Sequence, residues 1–137
     1  KSYIPYLQHI LEECRYVRSV VPDDAKMYEF LSDETLKRAV SRSLEIIGEA
    51  TKKIPADVKY QWSGISWRQM AGMRDKLIHD YMGVNYLIVW DVAKNIIPML
   101  ISQIEEIIKV EEAGFLWQKT ISGIGLWLVQ DKKEKGK

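Results

Sequence analysis

Cysteine and histidine are scarce in this chain, and their scarcity limits the kinds of site that it can hold. Cys14 is the only cysteine among the 137 residues, which excludes an intrachain disulfide and a cysteine-rich zinc site. The two histidines are His9 and His79. His9 and Cys14 are five positions apart and would lie on different faces of a helix. We therefore interpret Cys14 as a core residue and His9 as a surface residue, rather than as metal ligands.

The chain also lacks an excess of charge and a long apolar run. A formal net charge of +1 provides no global field for attracting nucleic acid, so RNA contact would depend on a local patch or on the combined surface of a dimer. No apolar run approaches the ~18 residues of a membrane span, and there is no signal-like leader or initiator Met. We expect a cytoplasmic protein with a trimmed start and no membrane partner.

The apolar periodicity predicts a single all-α domain. At 137 residues and 16.0 kDa, the chain is long enough to bury one core and too short for two. The first helix is expected to end at residues 22–24. Its apolar residues recur at alternating steps of three and four, as in a helix packed nearly parallel to another. They are Tyr3, Leu7, Ile10, Cys14, Val17 and Val21.

A second long helix is predicted after a short segment at residues 25–31. Ser32, Asp33 and Glu34 provide the cap and acidic first turn typical of a helix start, and the helix should reach about Lys53. Its expected buried residues are Leu36, Val40, Leu44, Ile47, Thr51 and Ile54. Its expected outward residues are Lys37, Arg38, Arg42, Glu45, Glu49, Lys52 and Lys53.

The second helix contains a glycine and a pair of carboxylates that need an explanation. Gly48 lowers helix propensity by about 1 kcal/mol relative to alanine, and we interpret it as the point of a close helix crossing. Glu45 and Glu49 are one helical turn apart, which is a spacing that can bind a metal ion. The sequence has no Glu-x-x-His, however, which di-iron bundles use on two helices. A solvent-exposed face is the stronger interpretation of the two glutamates.

The third long helix follows a turn-rich stretch, residues 55–64, that we predict to be a loop. Ser66 and Gln69 match a capping box, and Gly83 is a residue that commonly ends a helix. This motif helix should therefore run roughly over residues 67–82.

A final long helix is predicted after Asn85, which can cap it. Pro98 removes one backbone donor and should kink this helix near residues 94–97. The residues expected to keep its helical spacing are Leu87, Trp90, Ala93, Ile97, Leu100, Ile104 and Ile108.

The last two turns of the motif helix bring together charged, titratable and aromatic residues. Arg74 and Tyr81 lie near one edge, and Asp75 comes one turn before His79. Arg74 and His79 are about 140° apart, so one helix cannot easily aim both at a single atom. A second copy related by a two-fold axis could complete a composite site. The expected buried stripe is Met70, Met73 and Leu77.

Taken one at a time, these residues fit an ordinary helix end, with Arg74 paired to Asp75 or Asp80. The pattern Arg74, four residues, His79, one residue, Tyr81 resembles the signature of HEPN domains. Two longer segments, WRQMAGMRDKLIHDY and RSLEIIGEA, are similar to HepT, the toxin half of the HepT–MntA toxin–antitoxin pair. The resemblance stops at about residue 113.

The resemblance implies a HEPN (HepT-like) helical domain over residues 1–112. Its expected fold is an up-and-down bundle of four main helices plus a short helix, forming a two-fold homodimer. The remaining residues, 113–137, form a C-terminal extension of unknown role. An apolar stretch, residues 121–129, leads us to interpret the extension as a docking or oligomer-contact segment.

The resemblance also implies a function, that of a metal-independent endoribonuclease without a cofactor, in which the RNA 2′-hydroxyl attacks the adjacent phosphate. His79 would transfer protons and Arg74 would stabilise phosphate charge, with Asp75 orienting His79 and Tyr81 holding phosphate or base. In HepT-like proteins the motif tyrosine is the one that an MntA-like nucleotidyltransferase antitoxin adenylylates, and this position is Tyr81. The alternative is a catalytically silent HEPN binding module that pairs with a nucleotidyltransferase.

Overall fold

The computed structural model describes residues 2–78 and 83–135. Within those ranges, side chains are described except those of Ile78, Phe115, Leu116, Gln118, Lys119 and residues 124–135. The described secondary structure is entirely helical, which confirms the predicted all-α class. It consists of α1 (Ile4–Val20), α2 (Met27–Ser32), α3 (Glu34–Lys52), α4 (Ala56–Gln61), α5 (Trp67–Ile78), α6 (Tyr86–Asp91), a π-helical turn (Val92–Ile96) and α7 (Ile97–Lys135).

The predicted core face of α1 is confirmed. Pro5 lies in the first turn, where its missing N–H costs nothing, and the backbone N–H of Val21 donates to the Val17 carbonyl at the other end. Cys14 is buried, and this burial, with a smaller effect of Glu13, raises the pKa of its thiol to about 12. Each apolar residue expected to face the core does so: Tyr3, Leu7, Ile10, Cys14, Val17 and Val21.

The central helix of the bundle is α3, which packs against both α1 and α5. It begins as predicted, with the Asp33 carboxylate accepting a 3.0 Å hydrogen bond from the backbone N–H of Leu36. Leu36 itself is only half-buried. The other predicted core residues of this segment are buried: Val40, Leu44, Ile47, Thr51 and Ile54.

The prediction that Lys37 faces outward is wrong. The residue is only 9% exposed. Its Nζ lies 2.7 Å from Glu34 Oε1 and 4.5 Å from the centre of the Tyr86 ring. A lysine can bury its aliphatic stem when its charge meets a carboxylate and an aromatic face. The hydrogen bond from Lys37 lowers the pKa of the Glu34 carboxyl.

The prediction of a loop at residues 55–64 is also wrong, because Ala56–Gln61 form the short helix α4. Pro55 precedes α4 in an extended conformation that suits a helix start, and Asp57 lies in the first turn. Val58 is buried and anchors the segment to the core. The flanking residues are typical of turns, and one buried valine is too little periodicity to predict a helix.

The final helix contains a π-helical turn, Val92–Ile96, immediately before Pro98. The irregularity lies where Pro98 was expected to disturb the helix, because proline cannot donate to the carbonyl four residues earlier. Leu87, one of the residues expected to keep the helical spacing of this helix, is 56% exposed. Leu87, Trp90 and Ala93 are separated by steps of three residues, and each step falls about 60° short of a full turn. Leu87 and Ala93 therefore lie on different faces of the helix. The buried apolar residues that the structure describes from Tyr86 onward are Val89, Ala93, Ile97, Leu100, Ile104 and Ile107.

The described chain divides into two compact units, Lys1–Glu105 and Glu106–Lys137. The second unit is helical in its described residues, since α7 continues to Lys135. The predicted domain boundary at residue 112 and the predicted docking role of the extension remain predictions.

One helical stretch of the described chain, Tyr86–Gly114, is long and apolar enough to cross a membrane by length and composition alone. Charged residues such as Asp91, Lys94 and Glu105 interrupt the stretch, so it is not an uninterrupted apolar run. The core helix of a soluble protein passes the same test. Val89, Ala93 and Ile97 within the stretch are fully buried, but only 28% of its most apolar window is buried inside the structure.

Candidate active site

The crossing of α3 and α5 is unusually close at Gly48. A Cβ added to Gly48 would lie 3.1 Å from Arg74 Cβ, 3.1 Å from the Met70 carbonyl oxygen and 3.3 Å from the Arg74 backbone nitrogen. Any side chain at this position would therefore press on the backbone of α5. This contact confirms the interpretation of Gly48 as a close crossing point.

Arg74 lies at this crossing and is held by the residue that follows the glycine. Arg74 Nε is 2.6 Å from Glu49 Oε1. The Arg74 side chain is 40% exposed and the Glu49 side chain 49% exposed, so the pair lies at the surface of the bundle. Arg74 Nη1 is 3.8 Å from Asp75 Oδ1, a much looser contact. Glu49, on another helix, is therefore the closest described partner of Arg74.

Lys52 completes a ring of alternating charges with these three residues. Its Nζ lies 3.3 Å from Asp75 Oδ1 and 3.8 Å from Glu49 Oε1. Exposed ion pairs each stabilise a fold by about 0–1 kcal/mol, so this ring adds little to the free energy of unfolding. The ring places two carboxylates and one ammonium around the Arg74 guanidinium.

The structure brings together only part of the predicted site. Arg74 and Asp75 are described, whereas His79, Asp80 and Tyr81, and the predicted helix end at Met82, lie outside the described residues. The catalytic roles predicted for Arg74 and His79, and the supporting roles predicted for Asp75 and Tyr81, remain predictions. In the expected buried stripe of α5, Met70 and Leu77 are buried, but Met73 is only half-buried.

Sequence reasoning missed Glu49 and Lys52 as neighbours of Arg74. The available signal was that Glu49 directly follows Gly48, within one of the two segments that resemble HepT. Glu45 and Glu49 pair with different arginines. Glu45 Oε2 lies 3.2 Å from Arg42 Nη1, whereas Glu49 contacts Arg74. In the described part of the chain, no group of three or more His, Cys, Asp or Glu residues is placed to hold a metal ion.

A shallow groove between α1 and α3 lies next to the charged ring, with Glu49 contributing to both. Its volume is about 250 Å³. His9 is exposed there, as predicted, with its Nε2 4.0 Å from Glu13 Oε1. Aromatic and cationic side chains of this kind can contact RNA bases and phosphates. The remaining lining residues are Tyr6, Arg42, Ile46, Ala50 and Lys53.

Comparison with known proteins identifies the family. The family model described as "Ribonuclease HepT-like" matches residues 10–107, a range that contains both helices of the crossing. The chain belongs to the HepT-like ribonuclease family. This membership confirms the resemblance to HepT-like HEPN domains.

Relatives of this HepT-like chain carry ribonuclease names. "Putative RNase TTE0752" of Caldanaerobacter subterraneus subsp. tengcongensis is 46% identical over 112 residues, covering 82% of this chain and 99% of that protein. "Putative RNase MJ0127" of Methanocaldococcus jannaschii is 45% identical, covering 80% and 89%. "Probable ribonuclease HepT" of Thermococcus cleftensis is 41% identical, covering 80% and 98%. No solved structure matches the chain.

Proposed function

We propose that this HepT-like protein is a cytoplasmic, metal-independent endoribonuclease and the toxin of a type VII-like toxin–antitoxin system. The observation that carries the proposal is the placement of Arg74, whose Nε lies 2.6 Å from Glu49 Oε1 and whose side chain remains 40% exposed. An oriented, accessible arginine suits the binding of a phosphate at the surface. The ribonuclease names of the relatives support RNA as the substrate.

The proposed reaction is an internal phosphoryl transfer within RNA. The 2′-hydroxyl loses its proton, its oxygen attacks the neighbouring phosphorus, and the bond to the 5′-oxygen of the next nucleotide breaks. That oxygen takes up a proton, which leaves a 2′,3′-cyclic phosphate and a 5′-hydroxyl end. Arg74 stabilises the charge on the pentavalent phosphorus, and His79 transfers protons. Asp75 supports His79, and Tyr81 contacts the phosphate or base.

We place the reaction at a composite site of a homodimer. Arg74 and His79 are separated by about 140° around one helix, so the two groups would converge when α5 of one protomer faces α5 of its partner. A two-fold axis would form two equivalent sites, each using residues of both chains.

We also propose that an MntA-like nucleotidyltransferase antitoxin neutralises the toxin by adenylylating Tyr81. The transferred AMP would add a bulky anion on the same edge of the motif helix as Arg74. It would compete with the RNA phosphate for the same cation and block access to His79. Inhibition would follow without unfolding.

The test is cleavage of a defined RNA by the purified chain in the presence of EDTA. The expected products carry a 2′,3′-cyclic phosphate and a 5′-hydroxyl, and a single 2′-deoxy substitution at the cleaved position should prevent reaction there. Cleavage that EDTA abolishes would contradict the metal-independent mechanism. Absence of cleavage, combined with binding to a nucleotidyltransferase, would favour the alternative of a silent binding module.

A further inference from the structure

We infer that Glu49 is a positioning residue for RNA cleavage, because it fixes the guanidinium of Arg74 by its Nε edge and leaves the Nη donors to the phosphate. The inference rests on the proposed ribonuclease function. It concerns a side chain on α3, outside the motif that contains Arg74 and His79.

The distances single out Glu49 among the neighbours of Arg74. The 2.6 Å contact between Glu49 Oε1 and Arg74 Nε is a close ion pair between a carboxylate and a guanidinium. The contact of Arg74 Nη1 with Asp75 Oδ1 is 3.8 Å, too long for a hydrogen bond. Arginine has five N–H donors in a planar fork, and Nε is the nitrogen that lies in contact with Glu49. The Nη groups can therefore bind two phosphate oxygens while Glu49 stays in place.

Positioning matters here because Arg74 is long and partly exposed. A free arginine side chain loses rotamer entropy when it is fixed, and this cost would otherwise fall on the transition state. A guanidinium already held in one orientation avoids that cost at the moment of reaction.

The charge of Lys52 keeps this arrangement compatible with an anionic substrate. Glu49 and Asp75 together place two negative charges around Arg74, which would repel a phosphate. Lys52 lies 3.3 Å from Asp75 and 3.8 Å from Glu49, so the four side chains sum to zero. Glu49 can thus orient Arg74 without making the site acidic.

The experiment compares Glu49→Gln with Glu45→Gln in the full chain. Glu45 lies one turn earlier on α3 and binds Arg42, so its substitution is a matched control. We expect Glu49→Gln to lower kcat by about 10-fold, the scale of a modest misplacement of a catalytic group, with little change in KM. Glu45→Gln should leave both constants unchanged. In an Arg74→Ala background, Glu49→Gln should have no further effect, since Glu49 acts through Arg74.

The kinetics of the Glu49 variants can support or overturn the positioning role of Glu49. Equal kcat for wild type and Glu49→Gln would overturn it, as would an equal loss with and without Arg74. If Glu49→Gln fails to fold, Glu49→Asp replaces it, because the shorter carboxylate keeps the charge but not the reach. That variant should also lose kcat, and wild-type activity in it would refute positioning. A wild-type chain that cleaves no RNA would instead overturn the proposed function together with this inference.

Discussion

Arg74 on α5 and Glu49 on α3 meet through a 2.6 Å contact between Nε and Oε1, beside the close crossing of the two helices at Gly48. The contact depends on Gly48, the residue before Glu49, since a Cβ there would lie 3.1 Å from Arg74 Cβ. An exposed ion pair contributes about 1 kcal/mol or less to stability. We therefore expect the pair to matter for the position of the Arg74 guanidinium rather than for the stability of the fold.

Substitution Gly48→Ala should destabilise the fold and displace Arg74. The added methyl would meet backbone atoms of α5, and overpacking of this kind costs about 1–3 kcal/mol, of which the better helix propensity of alanine offsets about 1 kcal/mol. We expect a lower free energy of unfolding in urea and a lower rate of RNA cleavage. The control is Gly72→Ala on α5, where a Cβ meets nothing within 4 Å. This control should stabilise the chain by about 0.5–1 kcal/mol, and equal behaviour of the two variants would refute the close crossing.

Sequence periodicity predicted α1 and α3 well because their apolar residues keep regular spacing and their partners are other helices of the same bundle. It could not predict the environment of Lys37, because the Tyr86 ring that covers it comes from a distant segment. The same limit applies to Arg74, whose sequence neighbours Asp75 and Asp80 suggested local ion pairs. The closest described partner of Arg74 is Glu49 on another helix, and the spacing of residues within one helix does not predict which helices cross.

Stability should fall at alkaline pH through Cys14. Its folded pKa is about 12 against an ordinary value of 9.0, so the thiol is protonated in both states below pH 9. Between pH 9 and 12 the unfolded chain ionises while the folded chain does not. The free energy of unfolding should then decrease by up to about 1.4 kcal/mol per pH unit. Urea titrations of wild type and Cys14→Ala at pH 8 and pH 10.5 measure this, and identical losses in the two chains would contradict it.

The chain should be a two-fold dimer in solution, visible as a dimer mass by light scattering at micromolar concentration. A mixed dimer of Arg74→Ala and His79→Ala chains tests the composite site directly. If each site takes Arg74 from one protomer and His79 from its partner, the mixed dimer contains one complete site, and cleavage returns when two inactive variants are combined. A monomeric mass, or no return of activity in a verified mixed dimer, would count against the composite site.

Incubation with the partner nucleotidyltransferase, ATP and magnesium should add AMP to Tyr81 and stop RNA cleavage. Intact mass and peptide analysis locate the addition. The Tyr81→Phe chain is the control, because it lacks only the acceptor hydroxyl. An equal mass gain in Tyr81→Phe, or no gain on the wild-type Tyr81 peptide, would rule out this modification site.

The most direct test of the account is RNA cleavage by wild type and Arg74→Ala under identical conditions with EDTA present. Loss of a charge-stabilising donor typically lowers the rate about 10²-fold or more, and we expect that loss here, with a similar one for His79→Ala. Circular dichroism and thermal unfolding should show that both variants remain folded. Cleavage by a folded Arg74→Ala chain at the wild-type rate would contradict the account.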